Sequence, residues 1–189
     1  FQNSPNNPVN IVSWEDAQIF LSRLNQFEQT AGRLPSGWKY VLPTEAQWEY
    51  ACRAGTNTIF SWGNSATYTQ ANFKGTEPYG GGASGPNLEQ TTEVGQYAAN
   101  SWGFFDMHGN VFEWVHDWKA NYSGGAQTNP EGPASGSSRV RRGGSFYVQG
   151  LHMRSAKRAH NSPSTTNNSI GFRVGFQAVQ PDTANPELE

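Results

Sequence analysis

Two segments of the chain show the spacing of apolar residues that is typical of amphipathic helices. The first is predicted over residues 14–27, with Ser13 as its N-cap and Asp16 completing a capping box. Its apolar residues recur at intervals of three and four: Ala17, Phe20, Leu21 and Leu24. This stripe predicts that one face of the helix packs against a core.

The second predicted helix covers residues 45–54. Thr44 is its candidate N-cap, Gln47 completes the capping box, and Gly55 follows the last turn. One face carries Trp48, Ala51 and Cys52. We therefore expect Cys52 to behave as a small buried hydrophobic residue.

Regular patterns fade after the second helix. Residues 56–100 are rich in Gly, Asn, Ser and Thr, which favour loops. Short strand-like pieces follow at 111–115, 140–142 and 172–176. Two helices followed by short strands predict an α+β domain over residues 1–176, with residues 177–189 as a tail.

Composition adds an aromatic core to this picture. Hydrophobic residues make up 35% of the 189 residues, but the chain holds 7 Trp, 7 Tyr and 11 Phe. Disordered chains are poor in aromatic residues, so we expect a compact domain. The net charge is −2 without a basic run, which argues against nucleic acid as a partner. No stretch has the ~20 apolar residues of a membrane span, and no feature specifies an oligomeric state.

Six sequence motifs occur in a fixed order along the chain. They are Val-Ser-Trp-Glu-Asp-Ala at 12–17, Leu-Pro-Thr-Glu-Ala-Gln-Trp-Glu-Tyr-Ala at 42–51, Trp-Gly-Phe-Phe-Asp-Met-His-Gly-Asn-Val-Phe-Glu-Trp at 102–114, Arg-Gly-Gly-Ser at 142–145, Arg-Ser-Ala at 154–156 and Gly-Phe-Arg at 171–173. Together they resemble the family of formylglycine-generating enzymes, or sulfatase-modifying factors. The resemblance implies a C-type-lectin-like fold, with two helices, small twisted antiparallel sheets and long loops. The family domain usually begins with a strand-rich stretch before the first helix, and we expect that part to be missing here.

The catalytic cysteines of that family have no counterpart in this sequence. The resemblance implies a copper ion held by two thiolates shortly after Gly-Gly-Ser, but residues 146–153 contain no cysteine. Cys52 belongs to the second helix, so we expect neither copper nor formylglycine formation. A related branch of iron-dependent sulfoxide synthases needs several histidines, and a metal-dependent oxidoreductase or a pseudo-enzyme is the alternative hypothesis. The histidines His108, His116, His152 and His160 show no spacing that pairs them on a helix.

The resemblance also implies a structural calcium site. Calcium prefers oxygen ligands, which carboxylates and backbone carbonyls of tight turns supply. The implied ligands are Asp106, Gly109, Val111 and Glu113. The alternative is that Glu113 pairs with Arg142 or Arg173. A second family site would use Asn72, but the expected aspartate has no clear counterpart at 86–89.

The segment 146–169 resembles the variable region of proteins that are diversified by retroelements. There, adenines in asparagine codons are replaced at random, which yields residues such as Tyr, Val, Leu, His, Ser and Thr but never Trp or Glu. Most residues of this segment obey the rule, whereas Gln149, Met153 and Lys157 do not. The predicted ligand-binding residues are Phe146, Tyr147, Val148, Gln149, Leu151, His152, Met153, Lys157, His160, Ser162 and Thr165.

The sequence therefore favours a non-catalytic binding module. Its expected ligand is a protein or a surface glycan, and its expected location is a cell surface, the extracellular space or a virus surface. Apolar bodies with polar tips along residues 146–169 are typical of binding surfaces.

Overall fold

A computed structural model of the chain describes residues 4–179. It contains two helices, six short strands and long loops. In chain order these are α1 (Trp14–Thr30), β1 (Trp38–Val41), α2 (Glu45–Arg53), β2 (Phe112–Trp118), β3 (Arg139–Arg142), a 3-10 helix (Gly150–Met153), β4 (Ala159–Asn161), β5 (Ile170–Phe172) and β6 (Gly175–Ala178). This arrangement confirms the α+β class.

Both helices begin where the capping signals predict. The Ser13 hydroxyl accepts from the Asp16 backbone N–H, and the Asp16 carboxylate accepts from the Ser13 backbone N–H in return. Thr44 and Gln47 form the same reciprocal pair on α2. The ends differ from prediction: α1 continues to Thr30, and α2 ends at Arg53 because Ala54 already adopts a left-handed conformation, with φ 47°.

The strands form two separate sheets. β1 pairs with β6 in an antiparallel ribbon, and the other sheet has the order β4-β3-β2-β5. In the larger sheet β5 runs parallel to β2, so the sheets are not all antiparallel. The predicted strand at 172–176 is in fact two strands in different sheets, separated by Arg173 and Val174. β6 extends to Ala178, two residues into the predicted tail, and the tail beyond residue 179 lies outside the described residues.

Three apolar clusters form the core. One lies between α1 and one face of the larger sheet and includes Leu21 and Trp114. The second lies between α2 and the opposite face and includes Trp48 and Cys52. The third fills the loop region around Phe60 and Met153. No helix within residues 4–179 has the length and apolar character needed to cross a membrane.

Candidate functional site

Residues 146–153 alternate between core and surface. Tyr147 is 72% exposed, and Gln149 and Leu151 are also exposed. Gly150, which lies between them, and the flanking Phe146 and Met153 are buried, and Val148 is half-buried against the apolar cluster beneath α1. From Tyr147 to Leu151 the segment therefore presents every second side chain to solvent, and buried residues lie beside them.

The backbone of this stretch is fixed by hydrogen bonds to a neighbouring loop. The Lys74 N–H donates to the Val148 carbonyl and the Gly150 N–H donates to the Glu77 carbonyl, both at 2.9 Å. Further along, the Ser155 N–H donates to the Ile59 carbonyl at 2.9 Å. These backbone bonds use no exposed side chain; among the exposed residues, only the Gln149 amide donates to this loop, at the Glu77 carboxylate.

A buried ion-pair network anchors both ends of the stretch to α2. The Arg142 side chain is fully buried, pairs with Glu45 and Glu49, and donates to the Ser155 carbonyl at 2.7 Å. Arg158 contacts both carboxylate oxygens of Glu45 at 2.6 Å. Arginine suits this role because its guanidinium can bind a carboxylate and a carbonyl at the same time.

Gly143 and Gly144 turn the chain between β3 and residues 146–153. Both have positive φ, 90° and 78°, which other residues rarely adopt. A β-carbon on Gly144 would lie 2.9 Å from the Met153 side chain. The turn therefore requires glycine for conformation at both positions and for space at Gly144.

The eleven predicted binding residues do not all reach the surface. Tyr147, Gln149, Leu151, His160 and Ser162 are exposed, and Val148, His152, Lys157 and Thr165 are half-buried. The predicted binding role is wrong for Phe146 and Met153. Their side chains are only 3% and 0% exposed and pack in the core. The motif-based prediction included them because it treated the segment as one continuous surface loop.

The predicted calcium ligand Glu113 is committed to other partners. Its carboxylate forms a two-point ion pair with Arg173, with both N–O distances at 2.7 Å. It also accepts a hydrogen bond from the Trp48 indole N–H at 2.6 Å. An adjacent guanidinium opposes a divalent cation, so Glu113 does not fit calcium in this arrangement, whereas the alternative pairing with Arg173 does occur.

Of the other predicted calcium ligands, Asp106 and Val111 line the same cavity as Glu113. Asp106 accepts one hydrogen bond, from the Gly95 N–H, and burial raises the pKa of its carboxyl. Gly109 and Val111 are buried, and Gly109 has φ 85°. Within residues 4–179, no three His, Cys, Asp or Glu side chains are grouped to hold a metal.

Asparagine side-chain oxygens elsewhere in the loops are also of the type that binds hard cations. Asn72 Oδ1 and Asn87 Oδ1 are buried and have no hydrogen-bond partner among the described residues. The Asn72 amide donates to the Gln90 carbonyl at 2.9 Å, and the Gly85 N–H donates to the Gly75 carbonyl, so the two segments lie side by side. Sequence reasoning missed Asn87 because it searched residues 86–89 for an aspartate.

Cys52 and His108 form a buried neutral pair. Cys52 Sγ lies 3.5 Å from His108 Nε2, which also accepts from the Ser61 N–H, while Nδ1 contacts the Met153 carbonyl at 2.7 Å. Burial raises the pKa of the Cys52 thiol to about 12 and lowers the pKa of His108 to about 4. A thiol held protonated is a poor nucleophile and metal ligand, which agrees with the prediction that Cys52 is a buried hydrophobic residue.

The remaining histidines are scattered. His116 and His160 are exposed, and His152 is half-buried beside Lys157 and Arg154. Burial, followed by these two cations, lowers the pKa of His152. The described structure thus gives no support to a shared histidine metal site.

The amino-acid sequence of this chain is similar to those of formylglycine-generating enzymes. Formylglycine-generating enzyme of Bos taurus is 34% identical over 182 residues, which are 89% of this chain and 44% of the bovine protein. Its counterpart from Streptomyces coelicolor is also 34% identical, over 92% of this chain and 54% of that protein. The chain thus spans about half the length of these curated relatives.

Solved structures agree on the fold. Treponema denticola variable protein 1 has a TM-score of 0.74 and 25% identity, covering 92% of this chain and 75% of that one. PvdO from Pseudomonas aeruginosa has a TM-score of 0.75 and 27% identity, covering 94% and 64%. These neighbours confirm the C-type-lectin-like fold, and the first of them shows the likeness to a variable protein.

A family model gives the same result over nearly the whole sequence. The model of the sulfatase-modifying factor enzyme 1-like domain matches residues 1–178. The motifs, the fold and the relatives agree, and the chain belongs to the sulfatase-modifying factor enzyme 1-like family.

Proposed function

We propose that the protein is a non-catalytic binding module that recognises a protein or glycan through the exposed part of residues 146–169. The observation that carries this proposal is the separation of roles within the segment. Tyr147, Gln149 and Leu151 point to solvent, whereas buried residues and backbone hydrogen bonds hold the chain. Such a surface tolerates many side chains without losing its backbone.

The similarity to a variable protein supports the same function. The likeness to Treponema denticola variable protein 1 extends over 92% of this chain. On this proposal the module is displayed on a cell or virus surface, where a changing ligand favours a changing site. A near-copy of the DNA encoding residues 142–173, beside a reverse transcriptase gene, would be the genomic counterpart.

The enzyme hypothesis retains one specific support, the 34% identity to formylglycine-generating enzymes. Two observations oppose it. Residues 146–153 contain no cysteine, and Cys52 is buried in the apolar cluster between α2 and the larger sheet, where its thiol stays protonated. The test incubates the copper-treated protein with a cysteine-containing sulfatase peptide. We expect no formylglycine in the peptide, and formation of formylglycine would establish the enzyme hypothesis.

A paired library tests the binding function directly. One library randomises Tyr147, Gln149, Leu151, His160 and Ser162. The matched control library randomises exposed residues of α1: Ser22, Arg23, Gln26, Phe27 and Gln29. Both are displayed and selected against a panel of proteins and glycans. We expect folded binders mainly from the first library; equal yields, or unfolding of the first library alone, would contradict the proposal.

We further propose that a structural calcium ion, where one binds, uses the oxygens of Asn72 and Asn87 rather than Asp106 and Glu113. The unpartnered buried amide oxygens support the first pair, and the Glu113–Arg173 ion pair disfavours the second. Calcium would satisfy buried oxygens that otherwise cost stability.

A further inference from the structure

A separate cavity lies away from residues 146–169, where the scaffold motif at 102–114 meets β5. Its volume is about 340 Å³, at the small end of the range typical of small-molecule sites, about 300–1,000 Å³. Its wall includes the rings of Phe104, Phe105 and Phe172 and the side chains of Asp106, Glu113 and Arg173. Phe104 and Phe105 are 40% and 47% exposed, so their rings are accessible from solvent.

The charges on this wall do not cancel. Arg173 neutralises Glu113, because its guanidinium binds both carboxylate oxygens. Asp106 forms no ion pair within the described residues and accepts a single hydrogen bond, from the Gly95 backbone. Arg173 also attracts the Asp106 carboxylate, but the wall carries two carboxylates and a single guanidinium. This excess of negative charge favours a cation.

The remaining wall favours an organic cation over a metal ion. A calcium ion takes six to eight oxygen ligands, and the Glu113 oxygens are already occupied. Phenyl rings supply no oxygen ligands for a calcium ion. Their negative faces do attract alkylammonium groups, and proteins recognise quaternary ammonium ligands in this way. One free carboxylate within a wall of phenyl rings matches that chemistry.

We propose that this cavity binds the alkylammonium group of a small molecule, with Asp106 as counter-ion and the rings of Phe104, Phe105 and Phe172 as the apolar wall. The site is independent of the binding face at 146–169. Its ligand is recognised by charge and by apolar shape together, so a neutral molecule of the same shape does not bind.

The test uses choline as the probe and 3,3-dimethylbutan-1-ol, its uncharged isostere, as the control ligand. Binding is measured by titration with NMR detection of the Trp and backbone N–H signals at neutral pH and low salt. We expect saturable shifts with choline, in the weak range of roughly millimolar Kd, and none with the isostere. Absence of a saturable shift with choline, or equal shifts with both ligands, would overturn the proposal.

Two variants assign the binding to this cavity. Asp106→Asn removes the charge and keeps the backbone, because asparagine tolerates the positive φ of 55° at this position. Phe104→Leu removes a ring but keeps an apolar side chain. We expect about tenfold weaker choline binding for the first and a smaller loss for the second. The controls Glu131→Gln and Phe27→Leu alter an exposed carboxylate and an exposed ring elsewhere and should bind as the parent does.

A titration with calcium chloride, followed by the same NMR signals, tests whether Asp106 binds a metal ion instead. If calcium shifts the same signals and Asp106→Asn abolishes those shifts, Asp106 is a metal ligand and the alkylammonium proposal is wrong. If choline binding survives unchanged in Asp106→Asn, choline binds elsewhere and the proposal is equally wrong.

Discussion

Arg173 and Glu113 form a two-point ion pair in which Nη2 and Nε lie 2.7 Å from Oε1 and Oε2, respectively. Glu113 is on β2, and Arg173 follows β5, which runs parallel to β2. The Glu113 side chain is 7% exposed and the Arg173 side chain 27%. The pair therefore links the end of β5 to the middle of the domain, and its loss has consequences that can be measured.

Arg173→Met should lower the free energy of unfolding by about 2–4 kcal/mol, because it leaves the buried Glu113 carboxylate without its counter-charge. Partial exposure of Arg173 keeps the loss below that of a fully buried pair. Glu113→Gln should cost less, since a neutral amide can still accept from Trp48. Denaturant midpoints of both variants and of the double variant give the coupling; additive losses would mean that the pair contributes little.

Calcium should raise the melting temperature if Asn72 and Asn87 hold the ion, since a ligand that binds only the folded state stabilises it by mass action. At about 100 times the Kd the gain is about 2.7 kcal/mol. Asn87→Ala should abolish this gain, whereas Glu113→Gln should keep it. Thermal melts with calcium and with a chelator decide the assignment, and a calcium effect lost only in Glu113→Gln would restore the original ligand set.

Acid should destabilise the protein through His108. Its pKa falls from 6.5 to about 4 in the fold, chiefly because of burial. Below pH 6.5 the unfolded chain takes up a proton that the folded chain refuses, so stability falls from about pH 6.5 and levels off below about pH 4. The full loss is about 3 kcal/mol.

His108→Gln should remove this part of the pH dependence, although it also lowers stability at neutral pH. The measurement is the denaturant midpoint of parent and variant at several pH values between 4 and 7.5. Parallel pH profiles for the two proteins would show that another group is responsible.

Side chains of residues 146–153 should divide sharply in their tolerance of alanine. Tyr147→Ala, Gln149→Ala and Leu151→Ala should each change stability by no more than about 0.5–1 kcal/mol, as exposed positions do. Met153→Ala should cost about 2–5 kcal/mol and Phe146→Ala about 3–5 kcal/mol, because both leave cavities. Large losses at Tyr147 and Leu151 would contradict the proposed binding face.

Local signals in the sequence identified the helices and several strands. Capping boxes at Ser13 and Thr44 mark where both helices begin, because the first turn satisfies its own backbone donors. The helix ends carry weaker signals: Ala54 leaves the helix one residue before Gly55. Strands β1 and β4 were missed because they are four and three residues long and pair only with distant partners.

The site could be predicted only in part, since burial depends on the whole fold. Motif order located residues 146–169 but could not show that Phe146 and Met153 point into the core. The choice between calcium and Arg173 for Glu113 depended on a contact across 60 residues of sequence. Asn87 carried no sequence signal until its oxygen was found buried without a partner.

The alternation of buried and exposed residues after Gly143 has a consequence at the level of codons. Glycine, arginine, serine, phenylalanine and alanine can all be encoded without adenine, and the chain uses them at the turn and at the anchors Arg142, Ser155 and Phe146. A mutagenic process confined to adenine would leave such codons unchanged and alter only the positions between them whose codons contain adenine. On the proposed function, most buried residues of this segment stay the same while the surface changes, because their codons need no adenine. Buried Met153, whose codon contains adenine, is the exception.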